Sequence, residues 1–211
     1  MRKTCYNKKI KPEVIHMTLF SLVVQKIKAF RMPLPSLILL ALASYRSVTS
    51  GDSIQLVGIC ASFFPFFCQF KNFPKAEEGV SAVEDVLSSY IMNLVLMTVY
   101  LAWMLLLTWI GKTFVPSYAE NPYFVDMLFI AIGADIVFIS SVIPVCRELK
   151  PMQRLIPGLG LFNAMLIFMM MADSFVKTTT LTNIPLLVCG FSANIMVMTL
   201  GLIFIGNREK K

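Results

Sequence analysis

Residues 90–110 read YIMNLVLMTVYLAWMLLLTWI, and this stretch of 21 residues contains no charged side chain. An α-helix rises about 1.5 Å per residue, so about 20 residues cross the roughly 30 Å hydrocarbon core of a bilayer. A strand of a membrane β-barrel would instead alternate in polarity over about 10 residues. The stretch therefore predicts a transmembrane α-helix.

The rest of the chain has the composition of a membrane protein. Of its 211 residues, 57% are hydrophobic and 15% are charged, and its mean hydropathy is +0.73. So apolar a composition excludes a disordered chain or one that coats nucleic acid. Six apolar blocks predict an all-α, polytopic membrane protein with six transmembrane helices. These blocks are residues 33–48, 53–70, 90–110, 125–145, 155–172 and 184–205.

The basic residues predict the orientation of the spans. Cytoplasmic loops of membrane proteins are enriched in Lys and Arg, and sixteen of the 19 basic residues lie on one side of the six-span arrangement. The other side carries Arg46, Lys112 and Lys177. We therefore expect a multi-pass cell-membrane protein with both termini in the cytoplasm. Its parts are a cytoplasmic N-terminus (residues 1–32), a transmembrane domain (33–205) and a cytoplasmic tail (206–211).

Residues 13–31 predict an amphipathic helix rather than a further span, because Lys26, Lys28 and Arg31 crowd one end. One face of this helix is polar and most of the remainder is apolar. The polar face comprises Thr18, Ser21, Gln25 and Lys28. Such a helix lies in the membrane interface with its cations at the lipid headgroups. Pro33 then breaks the helix before the first span.

The connection between the second and third blocks predicts a short cytoplasmic helix over about residues 74–89. At 100° per residue, its apolar side chains share one face, and its acidic and hydroxyl side chains share the opposite face. The second face comprises Glu77, Glu78, Ser81, Glu84, Asp85 and Ser88. Two interpretations remain open: a solvated loop helix, or a docking helix whose carboxylates fit a basic groove on a soluble partner.

The sequence contains no recognisable catalytic motif. Gly111-Lys112-Thr113 resembles the end of a phosphate-binding loop, but Leu106 stands where that motif needs a glycine. The chain has one histidine, His16, and its five cysteines form no CxxC pair, so we expect no metal site. No GxSxG segment occurs. We therefore expect no catalytic residue, no cofactor and no enzymatic activity.

Asp135 lies in the middle of the fourth block, where a carboxylate costs a few kcal/mol to insert. Two roles remain open for it. Asp135 lines a path for a substrate or proton, or it joins helices through hydrogen bonds to Asn163 or Asn194. Asn93, Asn163 and Asn194 themselves are typical of interhelical hydrogen bonds.

The arrangement resembles the short bacterial permeases of ABC-2-type transporters, whose ATPase is a separate chain. The resemblance lies in the basic interfacial helix, the six spans, the acidic segment NFPKAEE at residues 72–78, and Pro144 followed by Lys150 and Arg154. It implies that the helix at 74–89 is a coupling helix, which contacts a cytoplasmic ABC ATPase through the six acidic and hydroxyl residues above. It also implies export of a peptide, lipid-like or drug-like substrate by two permease copies, as a homodimer or heterodimer among membrane lipids. Substrate-pathway positions would then include Asp135, Asn163 and Asn194.

An alternative class is a non-transporting membrane protein, such as an immunity factor, a sensor or an assembly scaffold. ABC-2 permeases often carry Leu-Pro-x-Ser-Arg before the third span, whereas residues 86–90 read VLSSY here. The first apolar block is also short. Both features slightly favour this alternative, and co-purification with an ATPase would separate the two hypotheses.

Overall fold

The computed structural model describes five segments, residues 19–30, 34–49, 80–118, 124–149 and 183–209, and eight further positions between 153 and 171. These residues contain five α-helices and no strand, which confirms the all-α prediction for them. In chain order we label the helices α1 (Leu19–Ala29), α2 (Leu34–Thr49), α3 (Ala82–Phe114), α4 (Phe124–Glu148) and α5 (Asn183–Glu209).

Three of these helices are long and apolar enough to cross a bilayer, and they indicate a membrane-associated protein. Their candidate spans are Ala82–Phe114, Leu128–Arg147 and Val188–Arg208. The structure therefore supports three of the six predicted spans, namely the third, fourth and sixth blocks. The apolar part of α2, Leu37–Thr49, is shorter than a span. The second block lies outside the described residues, and the fifth is described only at single positions.

The start of α3 corrects the predicted loop helix. Ser81 is the N-cap: its Oγ accepts a hydrogen bond from Glu84 N at 3.2 Å, and Glu84 Oε2 accepts one from Ser81 N at 3.3 Å. This capping box satisfies backbone donors that have no partner inside the helix. From Ala82 the helix runs unbroken for 33 residues, so residues 82–89 are the first turns of α3 and not a separate element. Residues 74–79 lie outside the described residues.

Side-chain contacts fix the directions of the helices. Helices α2 and α3 run the same way, since Ser44 accepts a hydrogen bond from Trp103 at 2.9 Å and Val48 lies beside Gly111 further along both helices. Helix α5 runs the opposite way, because its Gly201 lies beside Tyr90 and its Gly206 beside Val83. Helix α4 also returns, since nine residues separate it from α3 and its Arg147 meets Asp85.

One end of the bundle therefore gathers the end of α1, the start of α3 and the ends of α4 and α5. We call it the basic end, because four of the basic residues that the structure describes lie there: Lys26, Lys28, Arg147 and Arg208. Arg208 lies over the ring of Phe204, 5.0 Å from its centroid. The opposite end contains Gly111 of α3, packed against Val48 and Tyr118.

The core follows one stripe of α3. Buried residues recur at alternating spacings of four and three along this helix, which is the spacing of a left-handed helix-packing seam. They are Val86, Tyr90, Asn93, Met97, Tyr100 and Met104. The opposite face of α3 is equally apolar but exposed, as in Val99, Trp103 and Trp109. An exposed apolar face of this kind suits lipid.

Gly201 permits the closest approach between α5 and the core. A Cβ atom built at Gly201 would overlap the hydroxyl of Tyr90 and lie 3.0 Å from Pro144 Cγ. Tyr90 is fully buried, so its ring has no open space into which it can turn. A glycine is therefore needed where α3, α4 and α5 meet.

We predict that Gly201→Ala lowers the free energy of unfolding by about 1–3 kcal/mol, through overpacking against Tyr90. Thermal unfolding of the purified chain in detergent measures this effect. Gly190→Ala is the matched control, because a Cβ at Gly190 meets nothing within 4 Å. Tyr90→Phe removes the obstructing hydroxyl and should restore part of the loss. Equal midpoints for the two alanine variants would contradict the close packing.

Candidate functional site

The main polar site in the described residues is an ionic junction centred on Asp85. Lys26 Nζ donates to Asp85 Oδ1 at 2.8 Å, to the Asp85 carbonyl oxygen at 2.7 Å and to Ser89 Oγ at 2.7 Å. Arg147 Nε donates to Asp85 Oδ2 at 3.0 Å. One carboxylate thus binds cations from two other helices, and it joins α1, α3 and α4. We call these three charged residues the Asp85 junction.

The local sequence explains why each charge reaches this place. Lys26 follows Leu22 by four residues and Val23 by three, so all three lie on the buried face of α1. Asp85 lies in the first turn of α3, where a negative charge is favoured by the helix dipole. Arg147 lies in the last turn of α4, where a positive charge is favoured. The antiparallel packing of α3 and α4 brings these two termini together.

The junction is largely shielded from water. The side chains of Lys26 and Asp85 are each 9% exposed, and that of Arg147 is 20% exposed. Charges this deeply buried need partners and hydrogen bonds to offset lost hydration. Ser88 and Ser89 contribute further hydrogen bonds by donating to the Asp85 carbonyl oxygen at 2.8 and 2.9 Å. The site is therefore a bonded cluster rather than a loose surface pair.

This arrangement changes the predicted docking face. Asp85 and Ser88 are buried and bonded inside the chain, so they do not offer a surface to a partner, contrary to the prediction from the helical wheel. Ser81 and Glu84 are exposed, although they also bond each other in the cap. Glu77 and Glu78 lie outside the described residues. The correction arises because α1 and α4 cover one side of this helix.

A second group of polar side chains lies inside the bundle. Asp135 of α4 is 2% exposed and Asn194 of α5 is 6% exposed, and Asn93 and Ser140 are also buried. Asp135 precedes Arg147 by 12 residues, which is about 18 Å along the helix. The Oδ1 atom of Asn194 accepts no hydrogen bond in the described part of the chain, so Asn194 does not hold Asp135 through that atom. Asn163 is exposed.

The described residues contain no group of three His, Cys, Asp or Glu side chains that could hold a metal ion. Cys146 and Cys189 are free thiols, the first buried and the second exposed. His16 lies outside the described residues. The side chains of the Asp85 junction offer charges and hydrogen-bond donors and acceptors.

The sequence pattern does not predict that Lys26 and Arg147 are partners of Asp85. It places Lys26 among the cations of an interfacial helix and Arg147 among the cytoplasmic basic residues. A signal was nevertheless present for Lys26, because it falls within the apolar half of the α1 wheel between Leu22 and Val23. A lysine on the buried face of a helix indicates a carboxylate partner.

No protein-family model, curated protein or solved structure matches this chain. The resemblance to ABC-2-type permeases therefore remains a prediction from residues and topology.

We predict that Asp85→Asn lowers the free energy of unfolding by about 3 kcal/mol, since it leaves two buried cations without a counter-charge. It should also release α1. Amine-reactive labelling read by mass spectrometry measures the release: Lys26 should be protected in the wild type and labelled in the variant.

Lys28 is the internal control, because it is exposed in either case. Glu84→Gln is the matched carboxylate control, and it should cost only about 0.5–1 kcal/mol through the weakened cap. Lys26 labelling that is already as fast as that of Lys28 in the wild type would contradict the junction.

Proposed function

We propose that this chain is the membrane-spanning subunit of an ABC-2-type transporter, which exports a peptide, lipid-like or drug-like substrate using ATP hydrolysed by a separate ATPase. The observation that carries the proposal is the set of polar side chains inside an apolar bundle, led by buried Asp135. An ionisable group at this depth costs free energy, and in membrane proteins such groups commonly mark substrate or proton paths. Apolar residues can pack helices together without this free-energy cost.

The proposal keeps six crossings, three of which are the candidate spans of α3, α4 and α5. Helices α2 and α3 run the same way, and the predicted apolar block 53–70 lies between them in the sequence. Helix α4 ends at the basic end and α5 starts at the opposite end, and the predicted block 155–172 lies between them in the sequence. An even number of crossings leaves both termini on the basic side, which is the cytoplasmic side by the distribution of Lys and Arg.

The Asp85 junction gives the proposed ATPase a means of moving the bundle. The exposed residues Ser81 and Glu84 lie four residues and one residue before Asp85, which is bonded to α1 and α4. A displacement of the α3 start is thereby passed to two other helices. The revised docking face comprises Glu77, Glu78, Ser81 and Glu84, and Asp85 acts behind it as a positioning residue. A second copy of the permease completes the path.

Charge reversal of the docking face tests the partner. We expect the tagged wild-type chain, purified from native membranes in mild detergent, to bring down one ATPase in a fixed ratio. The combined change Glu77→Lys, Glu78→Lys and Glu84→Lys should reduce this recovery about ten-fold or more, because complementary charges now repel. Asp126→Lys, an acid-to-lysine change near the opposite end, is the matched control. Equal recovery from the triple variant would contradict the docking face.

Asp135→Asn tests the path. The variant keeps the shape of the side chain but removes its charge and proton. We expect normal protein yield and normal ATPase recovery, with ATP turnover of the purified complex changed about three-fold or more. Unchanged turnover would make Asp135 a packing residue. Absence of any co-purified ATPase, together with unchanged behaviour of Asp135→Asn, would favour the non-transporting class of membrane protein.

A further inference from the structure

The Asp85 junction contains two cations and one carboxylate, and the guanidinium of Arg147 uses only part of its hydrogen-bonding capacity there. Lys26 directs its three N–H donors to three acceptors on α3. Arg147 has five N–H donors, and its hydrogen bond to Asp85 uses only the one on Nε. Within the described residues, the terminal nitrogens Nη1 and Nη2 make no hydrogen bond to a carboxylate. Among the described residues, one carboxylate therefore faces two cations, and the hydrogen bond of Arg147 to Asp85 leaves its two terminal nitrogens available.

The junction lies at the depth of lipid headgroups when α3 crosses the bilayer. Asp85 and Lys112 are 27 residues apart on α3, which is about 40 Å along the helix. This length matches a bilayer with its headgroup regions, about 40–45 Å. On α4, Asp126 and Arg147 are 21 residues apart, or about 31 Å, which matches the hydrocarbon core alone. Arg147 therefore stands at the boundary where phosphate groups lie.

Helix α1 presents an apolar face beside this boundary. Its buried face, with Leu22 and Val23, packs on the bundle. Phe20 and Ile27 lie within about 20° of one another on the wheel, yet they are 77% and 45% exposed. The remaining face carries polar side chains, including Lys28. A helix with these three faces lies along the interface, with one apolar edge toward the acyl chains.

We propose that an anionic phospholipid binds at the Asp85 junction, with its phosphate accepting hydrogen bonds from Nη1 and Nη2 of Arg147. A guanidinium with two parallel donors matches the geometry of two phosphate oxygens. The negative charge of a phosphodiester is attracted to the guanidinium of Arg147. The acyl chains cover exposed apolar side chains such as Ile27 of α1. This site is independent of transport, and it belongs to the chain whether or not an ATPase acts on it.

A lipid suits the site better than a soluble anion or an acidic protein. Inorganic phosphate offers the same oxygens, but it would leave the apolar edge of α1 uncovered. An acidic side chain of a partner would have to reach the guanidinium at the bilayer boundary, where its own hydration is reduced. Anionic lipids are already present at this depth, and basic pockets between helices on the cytoplasmic side are typical binding sites for their headgroups.

The test uses the full chain in nanodiscs of phosphatidylcholine, with or without phosphatidylglycerol. Native mass spectrometry counts the bound phosphatidylglycerol, and thermal unfolding reports its stabilising effect. Arg147→Gln removes the donor fork but leaves Lys26 and Asp85 as a balanced pair, so the variant should fold. We expect Arg147→Gln to bind phosphatidylglycerol about five- to ten-fold more weakly than the wild type. The variant loses one cation near the charged headgroups together with the hydrogen bonds of that cation.

Two further variants make the result specific. Arg46→Gln removes an exposed arginine of α2 outside the junction, and it should leave phosphatidylglycerol binding unchanged. Arg147→Lys keeps the charge and the ion pair but not the fork, and it should give an intermediate affinity. Because Arg147→Lys preserves the pairing with Asp85, it keeps the comparison valid even if the glutamine variant is unstable.

Three outcomes would overturn the proposal. Equal phosphatidylglycerol affinity in wild type, Arg147→Gln and Arg147→Lys would show that Arg147 does not bind the lipid. Stabilisation of the wild type by inorganic phosphate in pure phosphatidylcholine, to the same extent as by phosphatidylglycerol, would assign the site to a free anion. Loss of a co-purified protein in Arg147→Gln, with lipid binding unchanged, would assign it to an acidic partner.

Discussion

The carboxylate of Asp85 is the interaction on which the arrangement of the basic end depends. It binds Lys26 and Arg147 at 2.8 and 3.0 Å, and so it holds the amphipathic α1 and the end of α4 against the start of α3. In a bilayer, apolar packing between helices gains little from the hydrophobic effect, because lipid tails are as apolar as the side chains. Polar contacts such as those of Asp85 then contribute more to the choice of one helix arrangement over another. Its position near the bilayer boundary limits its desolvation cost.

Polar side chains also lie inside the bundle. Asp135, Asn93, Ser140 and Asn194 are buried, and a polar group in such a place needs a hydrogen-bond partner to offset its lost hydration. The junction lies about 18 Å from Asp135 along α4. The bundle thus combines an ionic junction at one end with polar side chains further inside. That combination underlies the proposed transport function, in which a separate protein supplies the work.

The structure agrees with the predicted faces of α1 but changes the partner of its Lys26. Residues 13–31 predicted an interfacial helix, and the described part of α1 has the three faces that such a position requires. The sequence predicts that Lys26 binds lipid headgroups, whereas in the structure its ammonium group donates hydrogen bonds to Asp85 and Ser89. The remaining donors of Arg147 take over the proposed headgroup contact. The cation that meets lipid is therefore contributed by another helix than the one the amphipathic pattern indicated.

The sequence by itself determined that the chain is helical and membrane-associated, because a continuous uncharged apolar stretch such as 90–110 satisfies its backbone hydrogen bonds in lipid within one helix and lacks the alternation of a barrel strand. The capping box of Ser81 and Glu84 is a local feature that starts α3, but the polar pattern of the preceding residues led to the prediction of a separate helix over 74–89. The sequence did not determine which face of α3 is buried, since both faces are apolar, nor that Asp85 is covered rather than exposed. Those choices depend on α1 and α4, which are 59 and 62 residues away at their contacts with Asp85, and periodicity within one helix carries no information about such distant neighbours. Only the tertiary structure decided them, because a charge is buried where partners from several helices meet at one point.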